Sequence, residues 1–450
     1  MKDKIIEKFR NKNIAILGFG KEGISTYKFL REGLKDEKIT IIDKVDKSND
    51  EMFKDDKNVF FISGDNYLDN LDKFDYIVKS PGVNIKDIDI SSFKERITSQ
   101  LELLLEVYRD NIIGVTGTKG KSTTSSLIYE VLKDQGKDTY LVGNIGIPVL
   151  SEIDKYKKDT ILVIEMSTQQ LEFVKTSPHI GMILNLFQDH LDLTGTLEHY
   201  HNNKMNMFRY QNENDIAMYS SDNDYLIAKM KEYDYKAIKY DVRFDYENIT
   251  DNSIRIKDGK VYLGKELIYE DGERKLIGDH YLKDIMFVMG VAKILGLDLE
   301  KAKESIANFG GLKYRMECIG KYDGIIFYND TIATIPEATI NAIKALKTVD
   351  SLIFGGMDRN IDYSEFVKFL ENSEISNLIC MPTTGNKIGK LLEKKKKVFY
   401  ADTLEKAHEI AVKETKKDMI CLLSPAAASY EFFKNFEEKG KKFEEIVKGE

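Results

Sequence analysis

Residues 112–122 include the residue types that bind phosphate groups. Their sequence, Ile-Ile-Gly-Val-Thr-Gly-Thr-Lys-Gly-Lys-Ser, is an apolar run followed by a glycine-rich loop that precedes a helix-compatible stretch. In such a loop the backbone N–H groups surround the phosphates, Lys121 neutralises the β- and γ-phosphates, and the Ser122 hydroxyl can bind Mg²⁺. The loop is shorter than the standard spacing, because Gly117 is its first glycine. The segment therefore predicts a phosphate-binding loop.

A second glycine-rich turn, at residues 18–23, follows the first apolar run of the chain. Glycines allow a diphosphate to approach helix N-terminal amides, and an acidic residue after the next strand can accept hydrogen bonds from ribose hydroxyls. NAD, FAD and a UDP-sugar all satisfy this pattern, and so does an ordinary strand-to-helix turn. A Ser-Pro-Gly loop after a later strand is expected at the same edge of the sheet. The candidate residues are Gly18, Phe19, Gly20, Gly23, Asp43, Ser80, Pro81 and Gly82.

Short apolar runs alternate with polar, helix-compatible stretches, which predicts parallel α/β structure. Residues 236–275 differ, because residues 253–256 and 261–263 flank a Lys-Asp-Gly-Lys turn and predict an antiparallel ribbon inserted in the middle of the chain. The other predicted strands are 14–17, 39–42, 59–62, 76–78, 112–115, 161–164, 182–184, 325–328, 351–354, 377–380 and 419–423.

Composition and charge exclude several classes of protein. A chain of 450 residues, 42% hydrophobic and 32% charged, predicts a folded protein of two to four domains. A net charge of −8 opposes nucleic-acid binding. A charged amino terminus and the lack of about 18 consecutive apolar residues predict a cytoplasmic protein without membrane insertion. Three scattered cysteines predict neutral thiols, not a disulfide framework or a metal cluster.

The loop at residues 116–122 resembles the ATP loop of the Mur ligase family, and the resemblance continues in order along nearly the whole chain. Within that family, the pattern is similar to the ligases that add glutamate to UDP-N-acetylmuramoyl-L-alanine. The matching segments are 143–146, 165–172, 189–192, 200–204, 311–317, 329–331, 355–356, 423–429 and 434–436.

The resemblance implies three domains. These are an N-terminal Rossmann-like domain that binds the UDP substrate (residues 1–106), a central P-loop ATPase domain with the antiparallel insertion (107–312), and a C-terminal Rossmann-like domain that presents glutamate (313–450). It also implies a monomeric, cytoplasmic enzyme of peptidoglycan synthesis. ATP would phosphorylate the alanyl carboxylate, and the glutamate amine would then attack the acyl phosphate.

Residue roles follow from the resemblance. Glu165 and His190 would bind Mg²⁺, as would Lys204 after carbamylation, because a protonated lysine cannot bind a metal. By residue type alone, His190 is more often structural and Lys204 more often lies at the surface. The implied catalytic residues are Lys121, Glu165, His190, Lys204 and Arg315. The implied ATP contacts are Gly117, Thr118, Lys119, Gly120, Lys121, Ser122, Thr123, Asp284, Arg315 and Asp330. Asn144 and Ser167 would join the UDP-substrate contacts, and Thr334, Arg359, Ser429 and Phe436 would hold glutamate.

Two segments depart from the family pattern. Ile332 and Ile335 stand where D-glutamate enzymes commonly have lysine and asparagine, and Arg359 is expected to supply the missing cation. A related group that uses L-glutamate has a similar lysine-free loop, so both stereoisomers stay open; we expect D-glutamate. On the adenine side, Tyr281 and Asp284 stand where asparagines are typical.

Three alternatives to a glutamate-adding ligase stay open. A nicotinamide-dependent oxidoreductase would use residues 18–43 but leave the Lys121 loop and Glu165 without a role. A non-catalytic nucleotide sensor would need the loop but not the set Glu165, His190, Lys204 and Arg315 together, and ATP turnover distinguishes it from a ligase. Another Mur ligase or a folate polyglutamate synthase would keep the fold with a different substrate.

Overall fold

The computed structural model describes residues 1–187, 196–276, 280–359, 361–430 and 432–450. The chain forms two compact units. The first contains Met1–Glu273 and a segment that ends at Ala307, and the second contains a short segment that begins at Arg274 together with Asn308–Glu450. Predicted boundaries at residues 106 and 312 stay predictions.

The first unit begins with a parallel sheet. Its helices and strands are α1 (Lys2–Glu7), β1 (Ile14–Leu17), α2 (Lys21–Gly33), β2 (Ile39–Ile42), β3 (Val59–Ile62), β4 (Tyr76–Lys79), β5 (Ile97–Thr98) and α3 (Gln100–Tyr108). The strands pair in the order β3-β2-β1-β4-β5, all parallel. All four predicted strands are confirmed.

Strand β1 has apolar neighbours on both faces. Ile14 and Ile16 belong to one cluster of buried side chains, whereas Ala15 and Leu17 belong to another. Successive side chains of a strand point to opposite faces, so this sheet is buried on both sides, as parallel sheets are. Burial on both faces explains why the strands of this sheet are unbroken apolar runs in the sequence.

A nine-stranded sheet follows in the same unit. Its helices and strands are β6 (Ile112–Thr116), α4 (Lys121–Asp134), β7 (Thr139–Gly143), β8 (Ile161–Glu165), α5 (Thr168–Leu171), β9 (Ile180–Ile183), α6 (Leu197–Arg209), β10 (Ile216–Ser220), α7 (Asp224–Glu232), β11 (Ile238–Arg243), β12 (Ser253–Lys257), β13 (Lys260–Leu263), β14 (Glu266–Glu270), α8 (His280–Ile294) and α9 (Leu299–Asn308, which passes into the second unit). The order is β14-β13-β12-β11-β10-β9-β6-β8-β7.

The prediction of an inserted antiparallel ribbon is partly wrong. The strands β12, β13 and β14 are antiparallel as predicted. However, β11 pairs in parallel with β10, and β12 pairs in parallel with β11. Helix α7 connects β10 to β11 as a crossover, which is how parallel neighbours are joined. The ribbon is therefore the edge of the main sheet.

The second unit contains a six-stranded sheet in the order β15-β16-β20-β17-β18-β19. Only β15 is antiparallel to its neighbour. The helices and strands are β15 (Glu317–Tyr322), β16 (Ile325–Asn329), α10 (Pro336–Leu346), β17 (Val349–Phe354), α11 (Ser364–Asn372), β18 (Asn377–Cys380), α12 (Thr384–Leu392), β19 (Lys397–Tyr400), α13 (Leu404–Glu414), β20 (Ile420–Leu423) and α14 (Phe436–Lys448).

Two further sequence expectations concern cysteines and membranes. Cys318, Cys380 and Cys421 are all free thiols, and burial raises the pKa of Cys380 to about 12, so this thiol is neutral. No helix in the described part of the chain combines the length and the apolar character needed to cross a membrane.

Candidate functional site

The loop between β6 and α4 has the conformation of a phosphate-binding loop. Gly117 and Gly120 have φ angles of 152° and 85°, which residues with a side chain rarely adopt. Helix α4 begins at Lys121, so its first N–H groups point at the loop. The Lys121 Nζ donates to the carbonyls of Gly117 and Thr118, both at 3.0 Å. The loop therefore has the Lys121 ammonium and the first amides of α4 side by side, which is the arrangement expected from the sequence.

Asn185, which follows β9, fixes the same loop. Its Oδ1 accepts hydrogen bonds from the backbone N–H groups of Thr118 and Lys119, at 3.0 and 2.9 Å. Its Nδ2 donates to the Lys119 carbonyl at 3.0 Å. Sequence analysis did not single out Asn185, because nothing in its local sequence shows that β9 lies beside β6. The Asn185 side chain thus pairs with backbone groups of the loop that have no partner within so tight a turn.

Asp284 approaches the loop from α8. A Cβ atom at Gly120 would lie 2.6 Å from Asp284 Oδ1, so this carboxyl packs directly against the loop, at a residue whose φ of 85° favours glycine. Burial raises the pKa of Asp284 to about 7, although Lys283 opposes the shift. The carboxyl is therefore partly protonated at neutral pH, which reduces the negative charge next to a loop that would hold phosphates.

Glu165, at the end of β8, supplies a buried carboxylate. The side chain is 1% exposed, and its Oε1 accepts a hydrogen bond from Asn144 Nδ2 at 2.6 Å. Its Oε2 has no hydrogen-bond donor among the described residues. A buried carboxylate oxygen without a donor is costly unless a cation binds it. Glu165 therefore fits a hard metal ion such as Mg²⁺.

Lys204 lies beside the phosphate loop and not at the surface. It is 1% exposed on α6, and its Nζ donates to the Gly117 carbonyl at 2.9 Å. The same atom lies 4.9 Å from the centre of the Tyr200 ring. The structure therefore brings Lys204 to the loop of Lys121. His190, the fourth implied metal-site residue, lies outside the described residues.

A cavity of about 950 Å³ opens next to these groups. Lys121 and Lys204 line it together with four of the predicted substrate contacts. Those four are Pro81, Gly82, Asn144 and Ser167. Ser167 caps α5, its hydroxyl accepting from Gln170 N at 3.2 Å. The volume is that of a site for a large organic ligand.

The cavity wall also contains charged residues that sequence analysis missed. Lys79 is 4% exposed, and its Nζ lies 3.9 Å from the carboxylate of Glu172. The other Glu172 oxygen lies 3.3 Å from His199 Nε2 on α6. Glu172 stands in the segment 165–172, which resembles the family pattern, and Lys79 directly precedes the Ser-Pro-Gly loop. Their positions next to these motifs were the only features of the sequence that could have indicated a place in the site.

The first glycine-rich turn is held by its own polar contacts. The Phe19 N–H donates to Asp43 Oδ2 at 2.6 Å, and the Ser80 hydroxyl donates to the Gly18 carbonyl at 2.9 Å. A Cβ at Gly23 would lie 2.1 Å from the Gly18 oxygen, so glycine is required there. Asp43 thus stabilises the turn itself, a role that the sequence pattern did not predict.

In the second unit, Arg315 and Asp330 are neighbours. Asp330 is 3% exposed and accepts hydrogen bonds from Ser424 Oγ at 2.7 Å and Met316 N at 3.1 Å. Burial raises the pKa of Asp330 to about 7, and the nearby Arg315 guanidinium opposes the shift. The Arg315 side chain is exposed and is available to an anion.

The predicted glutamate contacts lie at the carboxyl end of the six-stranded sheet, where ligands of such sheets bind. Arg359 Nη2 donates to the Thr334 carbonyl at 3.0 Å, which joins two of the four predicted residues. The Ser429 hydroxyl is buried without a hydrogen-bond partner among the described residues. Phe436 is the first residue of α14, and its ring centre lies 6.4 Å from that of Tyr314.

Comparison with protein families gives three matches along the chain. Residues 12–99 match the family described as "Mur ligase MurD-like, N-terminal domain". Residues 115–292 match "Mur ligase middle domain". Residues 314–427 match "Mur ligase, glutamate ligase domain".

Curated proteins similar to this chain include enzymes named UDP-N-acetylmuramoylalanine–D-glutamate ligase. The protein from Thermoanaerobacter sp. (strain X514) is 34% identical, covering 97% of this chain and 98% of its own. The protein from Clostridium acetobutylicum is 32% identical, covering 99% and 98%.

Solved structures share the fold at low sequence identity. MurF ligase from Thermotoga maritima, in complex with ADP, is 18% identical with a TM-score of 0.54 and covers both chains fully. UDP-N-acetylmuramate-alanine ligase MurC from the same organism is 17% identical with a TM-score of 0.57, covering 98% of this chain and 100% of its own.

Proposed function

The chain belongs to the Mur ligase family, and on this premise we propose that it joins D-glutamate to UDP-N-acetylmuramoyl-L-alanine in an ATP-dependent reaction of peptidoglycan synthesis. The observation that supports this most is that Lys121 and Lys204 meet at one loop in the wall of a cavity of about 950 Å³, whose wall also contains Asn144, the hydrogen-bond partner of the buried Glu165. Neither a nicotinamide-dependent oxidoreductase nor a nucleotide sensor requires these residues together.

We propose that the phosphate loop activates the substrate carboxylate. The loop amides and Lys121 would hold the β- and γ-phosphates of ATP while the alanyl carboxylate attacks the γ-phosphorus. Residues 117–123 supply these contacts, and Asp284 and Asp330 are proposed for the rest of the nucleotide. Arg315 would neutralise charge on the transferred phosphoryl group. The products of this step are an acyl phosphate and ADP.

The second step needs only an amine that is placed correctly. The glutamate nitrogen, as a neutral amine, attacks the carbonyl carbon of the acyl phosphate, the tetrahedral intermediate expels phosphate, and the nitrogen loses a proton to the departing phosphate as the amide forms. Asn144 and Ser167, which line the cavity, are proposed to hold the muramoyl-alanine end. Gly18, Gly20, Gly23 and the loop at residues 80–82 are proposed to hold the UDP end. No protein nucleophile is required.

A magnesium ion is the cofactor that this site fits. We propose Ser122, Glu165, His190 and a carbamylated Lys204 as its ligands, since Glu165 presents a buried oxygen without a donor. Carbamylation would replace an ammonium by an anion and so convert Lys204 into an oxygen ligand. When bound, Mg²⁺ supplies positive charge for the phosphoryl oxygens.

D-glutamate is preferred over L-glutamate because the similar curated enzymes carry D-glutamate in their names. Ile332 stands where the family pattern commonly has a lysine. In this proposal Arg359 supplies the missing positive charge, and its guanidinium donates to the Thr334 carbonyl at 3.0 Å. Thr334, Arg359, Ser429 and Phe436 would together bind the amino acid.

The test is phosphate release by the purified full-length chain with ATP, Mg²⁺ and UDP-N-acetylmuramoyl-L-alanine. We expect release with D-glutamate and none with L-glutamate or without an amino acid. Lys121→Met should abolish release, whereas Lys133→Met, an exposed position near the end of the same helix, should retain it. Release with L-glutamate alone would reverse the stereochemical assignment, and no release with either would refute the proposed function.

A further inference from the structure

Lys439 is a buried lysine that the reaction described above does not use. Three lysines in the described part of the chain are almost fully buried: Lys79, Lys204 and Lys439. Lys79 and Lys204 line the large cavity of the first unit. Lys439 instead lies on α14 in the second unit and is 2% exposed.

The surroundings of Lys439 make its charge costly. Its Nζ donates to the Gly355 carbonyl at 3.0 Å, and no carboxylate among the described residues forms an ion pair with it. Burial lowers the pKa of Lys439 to about 8. A buried ammonium without an acidic partner destabilises a fold relative to an apolar side chain of similar size. Its presence therefore indicates a role that packing alone does not explain.

Gly355, which accepts the hydrogen bond from Lys439, belongs to a turn whose backbone conformation is tightly restricted. Gly355 and Gly356 have φ angles of 124° and 156°, and a Cβ on either would lie 2.4 Å from a backbone carbonyl oxygen. The Gly355 N–H donates to Pro425 O at 2.9 Å. The Thr384 hydroxyl donates to Gly356 O at 3.0 Å. Lys439 binds the Gly355 carbonyl, so α14 holds the turn as well.

The Gly355–Gly356 turn leads to the proposed glutamate contacts. Three residues after Gly356, Arg359 donates to the Thr334 carbonyl. The Met357 N–H donates to the carbonyl of Ala428 at 2.8 Å, directly before Ser429. Phe436 lies one turn before Lys439 on α14. The bond from Lys439 to Gly355 thus connects the helix of Phe436 to the segment of Arg359.

We propose that Lys439 is a positioning residue for the amino acid substrate, which acts by holding the Gly355 carbonyl and thereby fixing Arg359 and Ser429 relative to Phe436. The inference rests on the proposed function and deepens it. Lys439 does not touch the substrate in this proposal. Its effect should appear in the KM for glutamate and not in the contacts to ATP, which belong mainly to the other unit.

The experiment compares Lys439→Met with Lys439→Arg and with the exposed Lys441→Met on the same helix. In Lys439→Met we expect the KM for D-glutamate to rise about tenfold or more, as for loss of a charge-assisted hydrogen bond. The KM values for ATP and for UDP-N-acetylmuramoyl-L-alanine should stay within about twofold. Lys439→Arg, which keeps the charge and the donors, should remain within about threefold of wild type, and Lys441→Met should be unchanged.

Two outcomes overturn the inference while leaving the proposed function intact: an unchanged KM for D-glutamate in folded Lys439→Met, or an equal rise in all three KM values. If Lys439→Met does not fold, Lys439→Gln replaces it, because the amide is polar but neutral and its side chain is one bond shorter than that of lysine, which weakens the bond to the Gly355 carbonyl. We expect its KM for D-glutamate to rise about threefold or more, and an unchanged value overturns the inference. A wild-type enzyme that is inactive with D-glutamate would refute the proposed function and the inference together.

Discussion

The residues proposed for chemistry are mostly buried ionisable groups beside glycine turns. Glu165, Lys204 and Asp330 are at most 3% exposed. Each has a polar neighbour: Glu165 accepts a hydrogen bond from the Asn144 amide, Lys204 donates to the Gly117 carbonyl, and Asp330 accepts from the Ser424 hydroxyl. Such groups are costly to the fold and sensitive to their surroundings, which is typical of functional sites. Two predictions test this at single residues.

Asp284 is predicted to reduce stability as the pH rises. Its folded pKa of about 7 lies above the ordinary value of 3.8, so the folded state retains a proton that the unfolded state loses between these values. The free energy of unfolding therefore falls through this window. Asp284→Asn removes the cost and should stabilise the protein more at pH 8 than at pH 5, by about 2–3 kcal/mol.

Urea unfolding at the two pH values measures this difference. Asp134→Asn is the control, because Asp134 ends α4 at an exposed position. Equal stabilisation by Asp284→Asn at pH 5 and pH 8 would show that the carboxyl titrates normally.

Lys204 is predicted to act as a carbamate. Lys204→Ala should lower the rate of phosphate release by about 100-fold or more, since a metal ligand is lost. Added formate or acetate should restore part of it, because a small carboxylate can occupy the space of the carbamate. Lys121→Ala is the matched control and should gain nothing, since the group it loses is a cation. Lack of rescue, together with no carbamate signal in ¹³C NMR under ¹³CO₂, would contradict the carbamylation.

At the scale of elements, short strand-to-helix turns position the proposed contacts. The loops after β1, β4, β6 and β8 all leave the carboxyl ends of parallel strands, so they share one edge within each sheet. Helices α2 and α4 begin at Lys21 and Lys121 and direct their N–H groups toward these loops. A change in the packing of a turn against its helix should therefore act on both stability and binding.

Gly23 and Gly20 form a matched pair in the first glycine-rich turn. A Cβ at Gly23 would lie 2.1 Å from the Gly18 carbonyl, which is backbone and cannot move away cheaply, whereas a Cβ at Gly20 has no atom within 4 Å. We expect Gly23→Ala to lower the free energy of unfolding by about 1–3 kcal/mol, as in other overpacked sites. Gly20→Ala should stay within about 0.5 kcal/mol. Denaturant titrations decide this, and equal effects would show that the turn is loose.

At the scale of the whole molecule, the proposed reaction draws on both compact units. Lys121, Glu165 and Lys204 belong to the first, and Arg315 and Asp330 to the second. The proposed reaction therefore needs residues of both units, and loss of a proposed residue from either unit should lower the rate of phosphate release.

Local sequence was sufficient for much of the fold. The predicted strands of all three sheets are present, because a run of β-branched residues bounded by turn residues has few other stable conformations. The conformations of the glycine-rich turns at residues 117–120 and 18–23 could also be predicted, since glycine readily adopts positive φ and allows close backbone approach. These features depend on neighbours within a few residues.

Tertiary structure alone decided which distant residues meet. The contact of Asn185 with the phosphate loop, the burial of Lys204 and the bond from Lys439 to Gly355 join residues that are more than 60 positions apart. The parallel pairing of β11 with β10, in a segment predicted as antiparallel, likewise depended on the crossover helix between them. Local propensity sets the conformation of a segment, but strand order and packing determine its neighbours, so the charges around each proposed site could be assigned only from the folded chain.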